Sequence, residues 1–286
     1  MRHFFLHGRW FRLLAGMLMG MLSVAPVRAS VELIVPAYFY PAGEGLAHWN
    51  ALNLAAARVG LNVILNVDSG PGKSVDPNYQ VAVQALRAAG GRVFGYLHTS
   101  WGKRDAALLK KDIDAYLQRY PVDGFFIDEM ASGPEALDYY AGLYDYIKAR
   151  EQALLVIGNP GVVADPAYLQ RPVVDVLMHF EGDGETHARQ RFPEPDKGVQ
   201  GRLGEIVHGV TEPQMEALVA EAGRRGLGML YLTDDLMPNP YDVLPRYWQR
   251  EVALVAAMAV PAPGSFSLLC AGVVGWLASR RKGGPA

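Results

Sequence analysis

Short apolar runs alternate with amphipathic segments along the chain from Val31 to about Met258. The run Gly124-Phe125-Phe126-Ile127 contains no polar residue and stops at two carboxylates, Asp128 and Glu129. An unbroken apolar run of this length predicts a strand that is buried on both faces, as strands of a parallel sheet are. The alternation with helix-like segments therefore predicts repeated strand–helix units.

Eight strands and seven helices follow from this pattern. The predicted strands are Val31–Tyr38, Asn62–Val67, Val93–His98, Val122–Asp128, Ala153–Gly158, Val173–Phe180, Gly204–Gly209 and Leu227–Leu232. The predicted helices are Leu46–Val59, Tyr79–Ala89, Lys103–Arg119, Pro134–Arg150, Asp165–Gln170, Glu212–Arg225 and Tyr241–Ala257. The polar segment Gly182–Gly201 is predicted to be a long loop with at most a short helix.

The number of units favours one α/β domain over residues 30–258, a (β/α)8 TIM barrel. Eight strand–helix units are what a closed parallel barrel needs. The alternative is an open, doubly wound sheet, which has fewer strands and a glycine-rich nucleotide turn after the first one. The segment Pro36–Gly45 does not have that form.

The first 29 residues have the form of a secretory signal peptide. Arg2, Arg9 and Arg12 form a basic start, and Leu13–Val27 is a short apolar run. Small residues then precede Ser30, where we expect a signal peptidase to cleave. An uncleaved anchor is the alternative, but the apolar run is short for a span of about 20 residues.

Residues 259–286 are predicted to be a sorting tail outside the barrel. Pro261-Ala262-Pro263 is followed by the apolar stretch Phe266–Ala278 and by the basic cluster Arg280-Arg281-Lys282. This order resembles the PEP-CTERM sorting signal of Gram-negative bacteria, although the glutamate of that signal is Ala262 here. The resemblance implies a short transmembrane helix, handling by an exosortase and an exopolysaccharide-producing setting. An ordinary C-terminal helix packed on the barrel is the alternative.

Composition excludes several other classes of protein. Among 286 residues, 50% are hydrophobic, which suits one large core, and the net charge of −2 shows no basic excess for nucleic acid. The single Cys270 cannot form an intramolecular disulfide. Gly70–Ser74 ends like a nucleotide-binding P-loop, but Val67 stands where that motif needs glycine. The histidines form no spaced metal motif, so we expect neither a metal nor a cofactor.

Polar and aromatic residues gather where the predicted strands end. In a barrel these ends meet in one space, here called the cup, which is where barrel enzymes keep their chemistry. Aromatic faces, amides and carboxylates together suit a sugar. The side chains that we expect to contact substrate are Tyr38, Asn66, His98, Trp101, Glu129, Asn159, His179 and Asp234.

Asp128 and Glu181 are the candidate catalytic acids. Each directly follows a strong apolar run. An Asp–Glu pair is the minimum that a glycosidase needs, because one group protonates the leaving oxygen while the other attacks or activates water. Glu129 alternates with Asp128 along the strand and is expected to orient a neighbour. A polysaccharide-binding protein without turnover could use the same acids for hydrogen bonding only.

Several short motifs, taken in order, resemble the spherulin-4 (spherulation-specific family 4) proteins. They are VPAYFYP (35–41), NVDSGPG (66–72), GYLHTSWGKR (95–104), VDGFFIDE (122–129), YY (139–140), NPG (159–161) and FE (180–181). The family is related to the endo-α-1,4-polygalactosaminidases of glycoside hydrolase family 114, which are TIM barrels. The resemblance covers roughly residues 33–247.

This resemblance implies an exported glycoside hydrolase that acts on an amino-sugar or related surface polysaccharide. It implies that Asp128 is the nucleophile and Glu181 the acid/base of a retaining mechanism. The sequence departs from the family pattern at Val67, where proline is usual after strand 2, and at Trp101, where tyrosine is usual after strand 3. Signal peptidase, an exosortase and, through the tail, the membrane are the other expected partners.

Overall fold

The structure is a computed structural model that describes residues 31–193 and 197–259. Eight parallel strands close into a barrel in sequence order, and β1 pairs with both β2 and β8. The predicted (β/α)8 fold is therefore confirmed, and the open sheet is excluded. The strands are β1 Glu32–Pro36, β2 Leu61–Leu65, β3 Arg92–His98, β4 Gly124–Asp128, β5 Leu155–Gly158, β6 Val176–Asp183, β7 Leu203–His208 and β8 Met229–Leu232.

Helices connect successive strands and return the chain to the amino-terminal end of the barrel. They are α1 Gly45–Ala56, α2 Pro77–Ala88, α3 Ala106–Arg119, α4 Leu137–Arg150, α5 Ala167–Gln170, α6 Gly184–Arg189, α7 Glu212–Arg225 and α8 Trp248–Ala259, with 3-10 turns at Pro134–Ala136 and Lys197–Val199. Because α8 also runs back in this way, both Val31 and the end of α8 lie at the end opposite the cup.

Local sequence explains where several helices begin and end. The Asp76 side chain accepts the N–H of Asn78 at 2.8 Å, and Pro77 occupies the first helical position of α2. At the end of α7, Gly226 adopts φ +69°, the left-handed conformation that glycine accommodates best.

Two predicted elements differ most from the structure. The last helix begins at Trp248 and not at Tyr241; the buried residues Tyr241, Leu244 and Tyr247 have helical spacing, but they lie in the loop before the helix. Strand β6 spans Val176–Asp183 and so lies three residues later at both ends than predicted. The long loop expected over 182–201 contains the short helix α6, which the prediction allowed.

The amino-terminal end of the barrel is closed by a polar cluster. Asn62 donates to Oε2 of Glu32 and to the carbonyl of Leu33, both at 3.0 Å, and Arg92 donates to Oδ1 of Asn62 at 2.9 Å. Arg92 also forms an ion pair with Glu32. This end is therefore occupied by structural contacts, and the open cup lies at the other end.

The terminal segments fall largely outside the described residues. The signal peptide predicted over residues 1–29 lies wholly outside them, and the predicted tail does so from residue 260 onward. Within the described part, no helix is both long and apolar enough to cross a membrane.

Glu251 makes stability dependent on pH. It lies in α8, is fully buried, and accepts the N–H of Leu232 through Oε1 at 3.2 Å. Burial raises its pKa well above the ordinary value, so the folded protein keeps the group protonated. Below the pKa that Glu251 has in the unfolded chain, the folded state has its full stability. As pH rises from that value towards the pKa of Glu251 in the folded protein, the unfolded chain ionises first and stability is lost.

Replacing Glu251 with Gln is expected to remove this loss. The free energy of unfolding of the variant, relative to wild type, should rise by up to about 1.4 kcal/mol for each pH unit above about 4.5. Urea unfolding at several pH values measures it. Glu216→Gln, at an exposed α7 position, is the control. A difference between Glu251→Gln and wild type that is independent of pH would contradict the expectation.

Candidate active site

The structure brings the two candidate acids together around one amide. Asp128 ends β4, Asn159 follows β5, and Glu181 lies in the last part of β6. The Nδ2 of Asn159 donates to Oδ1 of Asp128 at 2.7 Å and to Oε2 of Glu181 at 2.5 Å. Because both oxygens contact the same nitrogen, they are separated by less than the sum of these distances. The two carboxylates therefore face one another across a small space.

Each carboxylate also accepts a hydrogen bond from a tyrosine. Tyr96 donates to Oδ2 of Asp128 at 2.8 Å, and Tyr241 donates to Oε1 of Glu181 at 2.6 Å. Neither tyrosine was among the site residues predicted from the sequence. Tyr96 could have been found, because it precedes His98 by two residues and so points to the same side of β3. Tyr241 gave no signal, because it lay inside a predicted helix.

Tyr38 joins the two tyrosines into an aromatic wall. Its ring contacts the ring of Tyr96 edge-on, with centroids 6.2 Å apart, and that of Tyr241 at 5.7 Å. Edge-to-face packing of this kind holds aromatic rings in defined orientations. Tyr38 is therefore placed beside both acids, at the end of β1.

Burial and charge raise the pKa of Glu181. Desolvation contributes most, the negative charge of Asp128 adds to it, and the hydrogen bonds from Tyr241 and Asn159 oppose it. Burial also raises the pKa of Tyr96 and of Tyr241 far above the ordinary range, so both remain protonated donors. Within the described residues no lysine or arginine bonds to either acid. Glu181 is thus suited to hold a proton.

Glu129 supports the neighbouring loop. Its backbone has φ +49°, unusual for a residue with a side chain, and its Oε2 accepts the N–H of Ser100 at 3.1 Å. Its carbonyl accepts the N–H of Trp101 at 2.7 Å. Trp101 also has a positive φ, +55°, and its side chain is 60% exposed. This pair of strained turns presents the indole at the rim of the cup.

His98 and Asn66 lie at the strand ends expected for them, and His98 is the partner of Asp128 in the β3–β4 pairing, but neither side chain hydrogen-bonds to the acids. The His98 ring stacks near Tyr96, with centroids 6.4 Å apart. The side-chain oxygen of Asn66 accepts the N–H of Gly70 at 3.1 Å and so shapes its own loop.

His179 does not face the cup, contrary to the prediction. It is 4% exposed, and its Nε2 contacts Oε1 of Glu205 at 2.7 Å on the outer side of the barrel wall. Its ring stacks on Phe192 with centroids 5.0 Å apart. The prediction assumed regular alternation along β6, which the structure interrupts at this residue.

Asp234 does not join the acids either. Its carboxylate forms an ion pair with Arg246 and accepts the N–H of that residue at 3.1 Å. The charge of Asp234 is therefore compensated within the loop that follows β8. Asp234 was expected to contact substrate, but in the structure its carboxylate is engaged by Arg246.

A metal site is not formed by the described residues. In that part of the chain, no three or more His, Cys, Asp or Glu side chains are grouped to hold a metal ion.

Comparison with known proteins places this barrel in a family. The profile of Spherulation-specific family 4 matches residues 32–255. Spherulin-4 of Physarum polycephalum is 29% identical over 241 residues, which cover 80% of this chain and 71% of that protein.

Solved structures share the architecture. The crystal structure of Aspergillus clavatus Sph3 in complex with GalNAc matches with a TM-score of 0.69 and 25% identity, covering 80% of this chain and 98% of that one. The cyclic α-maltosyl-(1→6)-maltose hydrolase of Arthrobacter globiformis matches with a TM-score of 0.50, 11% identity and 82% coverage of each chain, a likeness of fold alone. The chain thus has a glycoside hydrolase-like barrel and belongs to spherulation-specific family 4.

Proposed function

We propose that the protein is a retaining glycoside hydrolase that cleaves a polysaccharide containing galactosamine or its N-acetyl form. The observation that carries this proposal is the pair Asp128 and Glu181, bridged by the amide of Asn159. Retaining enzymes separate their two carboxyl groups by about 5 to 5.5 Å, and inverting enzymes by about 6.5 to 9.5 Å. Oxygens that share one hydrogen-bond donor favour the shorter separation.

In the first step, Glu181 protonates the glycosidic oxygen while Asp128 attacks the anomeric carbon. The bond to the leaving sugar breaks, and a bond from the anomeric carbon to the Asp128 carboxylate forms. Asn159 donates to one oxygen of each acid, and Tyr241 donates to the other oxygen of Glu181, so these contacts orient the acid while favouring its ionised form. Burial and the charge of Asp128 oppose them and favour the proton that Glu181 transfers.

In the second step, Glu181 acts as a base. After it has given its proton to the leaving group, its carboxylate removes a proton from water, and the resulting nucleophile breaks the bond between the sugar and Asp128. Asp128 leaves as a carboxylate that hydrogen bonds from Tyr96 and Asn159 stabilise. Both acids thereby return to their initial states.

The choice of substrate rests on the relative and on the charge of the cup. Sph3, at 25% identity, was crystallised with GalNAc. The carboxylates of Asp128 and Glu129 would attract a cationic amino sugar. The exposed Trp101 and the wall formed by Tyr38 offer faces for pyranose rings.

Incubation of the purified protein with polymers of galactosamine, of N-acetylgalactosamine and of galactose tests the proposal. New reducing ends are expected from an amino-sugar polymer and not from galactan. Binding without new ends would instead favour a non-catalytic polysaccharide-binding protein. Activity that survives in the double variant Asp128→Asn with Glu181→Gln would sink the assignment of this pair.

Replacing Tyr241 with Phe is expected to move the basic limb of the pH profile of kcat to higher pH. The Tyr241 hydroxyl stabilises the carboxylate of Glu181, so its loss raises the pKa of that group further. We expect kcat to fall about tenfold, because the acid also loses an orienting contact. Tyr96→Phe is the matched control, since Tyr96 contacts Asp128. An equal shift of this limb in both variants would contradict the role given to Tyr241.

Export is part of the proposal. We expect signal peptidase to remove residues 1–29 and the tail over 259–286 to attach the protein to the membrane before any exosortase acts. Sequencing the amino terminus of the mature protein and fractionating cells that express chains with and without the tail test these two points separately.

A further inference from the structure

Strand β6 contains a β-bulge four residues before its end. Met178 pairs with Gly204 of β7, but the next pairs are Phe180 with Glu205 and Glu181 with Ile206. His179 is therefore the extra residue, opposite no partner. Bulges re-aim side chains and are frequent next to active sites.

The bulge decides which way Glu181 points. Met178 is fully buried beside Gly204, inside the barrel, whereas His179 and Phe180 both face the helices, where each packs against Phe192. Regular alternation from Met178 would turn Phe180 inward and Glu181 outward. The extra residue reverses this order and brings Glu181 to Asn159.

A buried carboxylate holds the bulge in place. Glu205, which is 2% exposed, accepts Nε2 of His179 at 2.7 Å, Nε2 of His187 at 2.9 Å and the guanidinium of Arg225 at 2.7 Å. These partners come from the bulge itself, from α6 and from α7. Both carboxylate oxygens of Glu205 are thus hydrogen-bonded, and through them Glu205 connects β6, α6 and α7.

The charge of Glu205 is well compensated. Burial alone would raise its pKa, but the hydrogen bonds from both histidines and the charge of Arg225 lower it to about 2. Arg225 lies over the ring of Phe192, with its guanidinium carbon 4.3 Å from the centroid, and has Glu221 as a second, more distant partner at 3.8 Å. The carboxylate therefore stays ionised at neutral pH.

We infer that Glu205 is a positioning residue for the proposed hydrolysis: by fixing His179 on the outer side of β6, it maintains the bulge that aims Glu181 into the cup. This inference rests on the proposed function for its effect on turnover. Without the carboxylate, His179 loses its partner and β6 can relax towards regular alternation, which turns every following side chain to the other face.

The first test follows Glu181 without any need for turnover. In protein labelled with 13C at the glutamate carboxyl carbons, the Glu181 signal is assigned by its absence in Glu181→Gln and is titrated in wild type and in Glu205→Gln. In the variant we expect the midpoint of the Glu181 titration to move, because the side chain changes its burial, leaves the charge of Asp128 and loses the hydrogen bonds from Tyr241 and Asn159. An unchanged titration in folded Glu205→Gln would overturn the inference.

The second test measures turnover against a matched control. In Glu205→Gln we expect kcat to fall about a hundredfold with KM little changed, as for a misplaced catalytic group. Asp175→Asn is the control, because Asp175 precedes the other end of β6 and holds Lys148 and the N–H of Val156. A loss of kcat no larger than in this control would overturn the inference. If the wild-type protein cleaves no polymer, the proposed function fails while the titration still decides the role of Glu205.

If Glu205→Gln does not fold, two substitutions of His179 test the same contact from its other side. His179→Gln keeps an N–H donor for Glu205, whereas His179→Leu keeps none. We expect the Glu181 titration and kcat to resemble wild type in the first and to change in the second. Equal behaviour of the two folded variants would overturn the inference.

Discussion

Replacing Glu181 with Gln is expected to lower kcat on a natural polymer by about a thousandfold or more, because the leaving sugar then departs without a proton. Replacing Asp128 with Ala is expected to abolish turnover, because no covalent intermediate can form. A substrate with an activated aryl leaving group separates the two roles. It should restore the first step, seen as a burst of released aryl group, in Glu181→Gln, whose nucleophile remains, but not in Asp128→Ala. The burst and kcat/KM on both substrates measure the difference.

Azide sharpens this separation. In Glu181→Ala, azide should attack the glycosyl-enzyme and give a product with the substrate's anomeric configuration, whereas in Asp128→Ala it should replace the nucleophile and give the inverted one. Asp138→Asn, a surface carboxylate paired with Arg171, is the control and should keep its activity. If Glu181→Ala instead gave the inverted azide product and Asp128→Ala the retained one, Glu181 would be the nucleophile and Asp128 the acid/base.

Replacing Asn159 with Leu is expected to lower kcat by about a hundredfold to a thousandfold, the usual effect of losing a fixed hydrogen-bond donor in an active site. The volume of the side chain is nearly kept, but the two carboxylates lose their shared donor. The hydrogen bond from Asn159 lowers the pKa of Glu181, so its loss raises that pKa further. We expect the basic limb of the kcat profile to move to higher pH, since Glu181 must be protonated to act as the acid.

The same substitution at the other end of the barrel is the control. Asn62 is fully buried and hydrogen-bonded to Glu32 and Leu33, as Asn159 is to the acids. Asn62→Leu is expected to cost stability, measured by thermal unfolding, and to leave kcat and its pH limits unchanged. If both variants lose kcat equally, the effect of Asn159 is general destabilisation and not a property of the acid pair.

Much of the barrel was predictable because its strands are buried on both faces. A strand such as Gly124–Asp128 is recognisable without partners, since both its faces are apolar. The ends of these strands then located Asp128, Asn159 and Glu181, because parallel strands deliver their carboxyl ends to one side. The contacts among these residues could not be predicted from the sequence, since the residues come from the ends of three different strands.

Three residues were assigned wrongly from the sequence, and in each case the physical cause is not visible in the pattern of hydrophobic and polar residues. A bulge adds one residue to a strand without changing its composition, so His179 was assigned to the wrong face. Asp234 looked free because its partner, Arg246, follows twelve residues later in an irregular loop. Tyr241 shares its spacing with the buried residues around it, and that spacing is also typical of a helix.

The position of the two ends of the barrel has a consequence for access. Val31 and the end of α8 both lie opposite the cup. A membrane attachment through either of these chain ends would therefore leave the cup on the far side of the barrel. The mouth would then point away from the anchored surface, and a long sugar chain could cross it without meeting the attachment. With the proposed activity, a protein attached in this way would cleave polysaccharide that lies outside the surface to which the protein is attached.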